Sequence, residues 1–188
     1  MRPAFAHLER AVALKRDYAD GHNNLGVVFS KLGKIEAAMA RFELALMCQP
    51  KSADALINLS RALNGKNRRD EAAARLREAL VLRPTSADLH HELGCLILSD
   101  HQEEDAIELF RSALALDPKH AKSFNDLGNA YKNMGLVREG IAAYQESVRL
   151  EPGQHGFHSN IAVACLMDDQ ASEKEVYEIH RKFGEAVE

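Results

Sequence analysis

Residues 87–120 read ADLHHELGCLILSDHQEEDAIELFRSALALDPKH, and residues 121–154 read AKSFNDLGNAYKNMGLVREGIAAYQESVRLEPGQ. Laid one on the other, they agree in type at the seventh position (Leu93, Leu127), the eighth (Gly94, Gly128), the twenty-fourth (Phe110, Tyr144) and the thirty-second (Pro118, Pro152). The same register continues toward the N-terminus in segments that start at Ala19 and Ala53, each 34 residues before the next. They carry Leu25 and Leu59, Gly26 and Ser60, Phe42 and Leu76, and Pro50 and Pro84. The twentieth position is small in all four: Ala38, Ala72, Ala106 and Gly140. A fixed period with no insertion means that each unit is one supersecondary motif. One such motif cannot bury its apolar face alone, so stacked neighbours share a core.

Physical chemistry assigns the residue types. Each unit holds two helices, with a turn near Gly33, Asn67, His101 and Gly135. Small eighth and twentieth residues let the two helices approach closely. The larger seventh and twenty-fourth residues fill the layer between units. Proline at position 32 cannot continue a helix and sets the break between units. Ser52 and Ser86, just past a proline, are placed to cap the following helix. The expected class is all-α.

Leu-Gly early, a small residue in the middle and an aromatic four later, at this period, resemble the tetratricopeptide-repeat family. The resemblance covers residues 19–152. It implies a right-handed α-solenoid of helix-turn-helix repeats, about eleven helices in all, in which first helices line a concave groove that binds proteins or extended peptides. The expected organisation is one solenoid domain over 1–188. It has a partial repeat at 1–18, full repeats at 19–52, 53–86, 87–120 and 121–154, and a partial repeat plus a C-terminal capping or linker helix at 155–188.

The ends depart from the period. Ala4, Leu8, Ala11, Val12 and Leu14 lie in register with Ala38, Phe42, Ala45, Leu46 and Cys48, so residues 4–14 read as a second helix without its first. Phe5, Leu8, Val12 or Leu14 then lie on a face meant for a partner, which predicts self-association or occlusion by another segment. At the other end, Ser172 and Glu175 have capping-box spacing before a helix with Val176, Ile179, Phe183 and Val187 on one stripe. His158-Ser159-Asn160, then an acidic break, then Val176, His180-Arg181-Lys182 and Phe183 resemble the stretch joining repeats to catalytic region in bacterial O-GlcNAc-transferase-like (SPINDLY-like) proteins. That resemblance implies an alternative function, the substrate-recognition arm of a glycosyltransferase whose catalytic domain lies outside this sequence.

Composition excludes several classes. The 188 residues carry 24 Lys and Arg against 28 Asp and Glu, a formal charge of −4, which disfavours a nucleic-acid binder dependent on counterion release. No apolar run is long enough to cross a membrane, and the charged start lacks a secretory h-region, so a cytoplasmic protein is expected. The three cysteines do not make a disulfide framework. Cys48 and Cys165 are expected in the core, with Cys95 at the groove border. There is no phosphate loop, no GxGxxG and no nucleophile–base pair, so no enzyme and no cofactor are expected.

The binding candidates follow from the groove that the family resemblance implies. Position 6 of the first helix carries Asn24, Asn58, Glu92, Asp126 and Asn160. O-GlcNAc transferases have a similar asparagine ladder, which grips peptide backbone. A carboxamide donates and accepts at once, so it pairs with a peptide C=O and N–H without regard to side chain. Glu92 and Asp126 interrupt the ladder; they only accept, and would favour basic or N–H-rich ligands. Neighbouring groove positions add Asn23, His91 and Asn125 at position 5, Arg61 and Asn129 at position 9, and Asn133 at position 13. The paired Lys and Arg that clamp a chaperone tail in other family members are missing. His22, His90 and His158, all at position 4, are expected to pack. His155 and His158 have helical pair spacing but no third ligand, so no metal site is expected.

Overall fold

The computed structural model describes residues 17–168, together with Tyr177 and Arg181. Among these residues there are nine α-helices and no strand. In chain order they are α1 (Ala19–Lys31), α2 (Ile35–Cys48), α3 (Ala53–Asn64), α4 (Arg69–Leu82), α5 (Ala87–Leu98), α6 (Glu103–Leu116), α7 (Ala121–Asn133), α8 (Val137–Leu150) and α9 (His155–Leu166). The count is nine rather than the expected eleven or so. The opening helix over 4–14 and the Ser172–Glu175 capping box lie outside the described residues, and of the closing helix only Tyr177 and Arg181, both helical, are described. The chain forms two compact units, Met1–Thr85 and Ser86–Glu188. The first holds α1–α4 and the second α5–α9. Within each unit the two helices of a repeat pack most closely, and the second helix of a repeat packs on the first helix of the next.

All four full repeats turn between their helices in the same way. Gly33, Asn67, His101 and Gly135 have φ of 73°, 61°, 59° and 78°, the left-handed region. The residue after each donates its N–H six-to-one to the preceding helix: Lys34 to Phe29, Arg68 to Leu63, Gln102 to Ile97 and Leu136 to Tyr131. This is a Schellman motif, which satisfies carbonyls a helix end would otherwise leave open. Glycine occupies the left-handed position without steric cost, whereas a Cβ there is disfavoured. His101 is therefore strained where Gly33 and Gly135 are not. His101→Gly is expected to raise stability by about 0.5–1.5 kcal/mol, read as an upward shift of the urea midpoint with unchanged slope. An unchanged or lowered midpoint would show that the turn carries no strain.

The connections between repeats behave as the proline register requires. Pro50, Pro84, Pro118 and Pro152 all sit in the turns that follow the second helices. Ser52 accepts from the Ala55 N–H and Ser86 from the Leu89 N–H, both at 3.4 Å, as expected of N-caps. The equivalent residue in the third repeat is His120, whose Nδ1 accepts from the Ser123 N–H at 3.1 Å. A histidine does there what serine does in the two preceding repeats.

The core is set by the eighth and twenty-fourth positions together. A Cβ added to Gly26 would meet the Phe42 ring at 2.5 Å, one on Gly94 the Phe110 ring at 2.7 Å, and one on Gly128 the Tyr144 ring at 2.6 Å. Each aromatic thus packs against a glycine of its own repeat. To the expected filling of the layer between units this adds a contact within the repeat. Tyr144 does both, since it also joins Ile161, Ala164 and Cys165 of α9 in one buried cluster. In the fourth repeat two glycines face each other, and a Cβ added to Gly140 would lie 3.1 Å from the Gly128 carbonyl. The second repeat solves the same problem with Ser60 and Leu76, both fully buried. Cys165 is buried as expected, but Cys48, the last residue of α2, is exposed.

Candidate functional site

Polar side chains at positions 5 and 6 of the first helices link neighbouring repeats within each unit. In the first unit, Asn58 Nδ2 on α3 donates to Asn23 Oδ1 on α1 at 3.0 Å. In the second, Asn160 Nδ2 on α9 donates to Asn125 Oδ1 on α7 at 2.8 Å. The third pair of this kind is His91 Nε2 on α5 with Asp126 Oδ2 on α7, at 2.9 Å. In each case position 5 of one repeat meets position 6 of the next, 35 residues later. Close packing of first helices brings these side chains within reach, and a half-buried polar group that finds a partner avoids the cost of desolvation without one.

Asp126 is the centre of a larger network. Its Oδ1 accepts from Asn125 Nδ2 and from Asn129 Nδ2, each at 3.1 Å. Its Oδ2 accepts from His91 and from the Cys95 thiol, the latter at 3.5 Å. Tyr144 on α8 donates to Asn129 Oδ1 at 2.8 Å, so the chain of bonds runs from α5 through α7 to α8 and α9. The His91 ring lies against Phe110 and His120, with centroids at 5.8 and 4.9 Å. His120 is fixed in turn: its Nδ1 accepts from Ser123, so the proton is on Nε2, which reaches Asp88 Oδ1 at 3.2 Å.

The electrostatics follow from that geometry. Burial works against the Asp126 carboxylate, but the His91 hydrogen bond and charge, aided by Cys95 and Asn125, outweigh it and hold the carboxyl below its ordinary value. Burial, followed by the charge of Asp126, pushes the Cys95 thiol well up, so it is a poor nucleophile at neutral pH. Burial and the same charge push the Tyr144 phenol up to about 12.

Family models described as tetratricopeptide repeat match residues 57–121, and residues 19–52 and 121–154. Together these spans cover more than half of the chain. The chain belongs to the tetratricopeptide-repeat (TPR) family. No curated protein matches it in sequence. Among solved structures, MamA from Desulfovibrio magneticus RS-1 is similar at 20% identity, over 90% of this chain and 93% of that one, with a TM-score of 0.78. PilF of Pseudomonas aeruginosa is 20% identical, over 89% of this chain and 76% of that one, at 0.77. YrrB, described as a TPR protein with an unusual peptide-binding site, is 19% identical, over 95% and 91%, at 0.77. At these identities the likeness is one of fold. The resemblance to O-GlcNAc-transferase-like proteins finds no support in these matches.

On this TPR framework the sequence candidates divide into two groups. Asn23 and Asn58 meet in the first unit; His91, Asn125, Asp126, Asn129 and Asn160 meet in the second. Asn24, Arg61 and Asn133 lie exposed on their helices, and Glu92 is half-buried on α5. The sequence reading missed Tyr144, Cys95, His120 and Asp88 as members of one network. Polar residues recurring at positions 5 and 6 were a signal for the shared face, but not for which of them pair. Of the position-4 histidines, His22 is buried as expected. His90 Nδ1 donates to the Ser86 carbonyl and His158 Nε2 to the Pro152 carbonyl, each at 2.9 Å, which ties these rings to the inter-repeat turns. No described helix is long and apolar enough to cross a membrane.

Proposed function

We propose that this TPR chain is a scaffold for proteins or extended peptides, bound along the first-helix faces of its units. The observation that carries this reading is the pre-positioning of asparagines on those faces. Asn58 and Asn160 are each held by one donated hydrogen bond, and each carboxamide has a second N–H and a carbonyl oxygen beyond it. Asn24 stands exposed on α1 at the same register position. A side chain fixed before the ligand arrives loses less entropy on binding. The peptide-binding site named for the similarly folded YrrB supports the same reading. Asp126 plays a different part from the one its position suggests. With four donors already on its carboxylate, it positions α5 and α7 and attracts basic ligands little.

The test is a titration of an extended peptide, recovered by affinity capture, against Asn24→Ala, Asn58→Ala, Asn160→Ala and the triple variant. Each lost hydrogen bond is worth about 0.5–1.5 kcal/mol, so each change is expected to weaken binding severalfold to about tenfold. Scrambling the peptide's side chains should leave the ratios unchanged, because main chain is being read. A folded triple variant that binds like the parent would sink the proposal.

A further inference from the structure

The geometry points to a divalent transition-metal site, of the zinc or cobalt type, formed by His91 Nε2, Cys95 Sγ and Asp126 Oδ2 on α5 and α7. No single repeat contains the set. His91 and Cys95 are one helical turn apart on α5, and Asp126 comes from the following repeat. The fold brings one ligand atom of each within 4.8 Å of the others. The sulfur lies 3.5 Å from the His91 nitrogen and 3.5 Å from the Asp126 oxygen, and the nitrogen and oxygen are 2.9 Å apart. A tetrahedral zinc ion, at about 2.3 Å from sulfur and about 2.0–2.2 Å from nitrogen and oxygen, places sulfur about 3.6 Å from each and the other two about 3.4 Å apart. Two of the three edges already have that length, and the third needs to open by about 0.5 Å.

The surroundings suit a metal as well as the ligands do. Asn125 and Asn129 hold the other carboxylate oxygen, which leaves Oδ2 aimed at the site, and Asn160 and Tyr144 hold those two asparagines. Phe110 and His120 flank the His91 ring. Outer groups of this kind orient metal ligands in known sites. The site is not sealed: the His91 and Asp126 side chains are 14% and 24% exposed, so an ion can enter and a water can take the fourth position. Thiolate and imidazole together select zinc-like ions over magnesium or calcium.

Binding is a ligand exchange with no change of oxidation state. The thiol gives its proton to solvent and the sulfur bonds the ion. The His91 proton moves from Nε2 to Nδ1, freeing the Nε2 lone pair, and the ion sheds waters in exchange. One thiolate and one carboxylate then neutralise the two positive charges.

The whole chain, stripped of metal under reducing conditions, is titrated with cobalt(II). The expected result is one equivalent bound, with tetrahedral ligand-field bands and a thiolate-to-cobalt charge-transfer band, all displaced by zinc. The band should vanish in Cys95→Ala and persist in Cys48→Ala. Cobalt affinity should fall at least about tenfold in His91→Gln and in Asp126→Asn. Absence of the charge-transfer band at saturating cobalt, or its survival in Cys95→Ala, would overturn the assignment. If Cys95→Ala does not fold by circular dichroism, the Cys48→Ala/Cys165→Ala variant decides: Cys95 is then the one thiol left, and the band must appear.

Discussion

Phe110→Ala is expected to destabilise the chain by about 3–5 kcal/mol, the usual cost of emptying a buried aromatic site. The ring is fully buried and lies where a Cβ on Gly94 would be. The reverse error is also costly. Gly94→Ser drives a side chain into that ring, and overpacking of this kind costs about 1–3 kcal/mol. The chain carries its own remedy, since the second repeat has Ser60 and Leu76 at the same two positions. Combining Gly94→Ser with Phe110→Leu should therefore recover a large part of the single-variant loss, a coupling that a double-mutant cycle isolates. Urea unfolding of the two single variants and the pair measures it. Additive losses would show that the two positions are not solved as a pair.

Asp126→Ala is expected to cost about 2–4 kcal/mol, measured with a chelator present so that bound metal plays no part. Four donors, from His91, Cys95, Asn125 and Asn129, lose their acceptor at once in a half-buried place. Asp126→Asn keeps the shape and one oxygen, and should cost less. The sign of the pH dependence follows from the lowered carboxyl. A group whose folded pKa is depressed contributes fully above its unfolded value, about 3.9 for aspartate, and the contribution is lost as pH falls through the folded value. The carboxylate's share of the gap between parent and Asp126→Ala should thus close in acid, as pH falls through the folded value. A gap that stays open at low pH would mean that cavity formation, not the carboxylate, sets the cost.

The sequence by itself determined the repeat and what it forces locally. Position 8 needs a small residue because a ring from position 24 covers it, and the glycine–aromatic pairing recurs in three of the four repeats. Position 15 needs the left-handed region, which Gly33 and Gly135 announce and which Asn67 and His101 also adopt. These constraints act within one repeat, over contacts of known helical spacing, so a period of 34 makes them visible. The polar network was legible only in part. Asn58 and Asn160 could be placed on a face, but not on Asn23 and Asn125, because that pairing depends on how one repeat stacks on the next. Tertiary structure alone decided that Asp126 is the hub of that network, with four donors on its carboxylate. It also gathered His91, Cys95 and Asp126 around one point. Their ligand atoms come from two repeats whose relative rotation is set by side-chain packing between helices, and no spacing along the chain encodes that rotation.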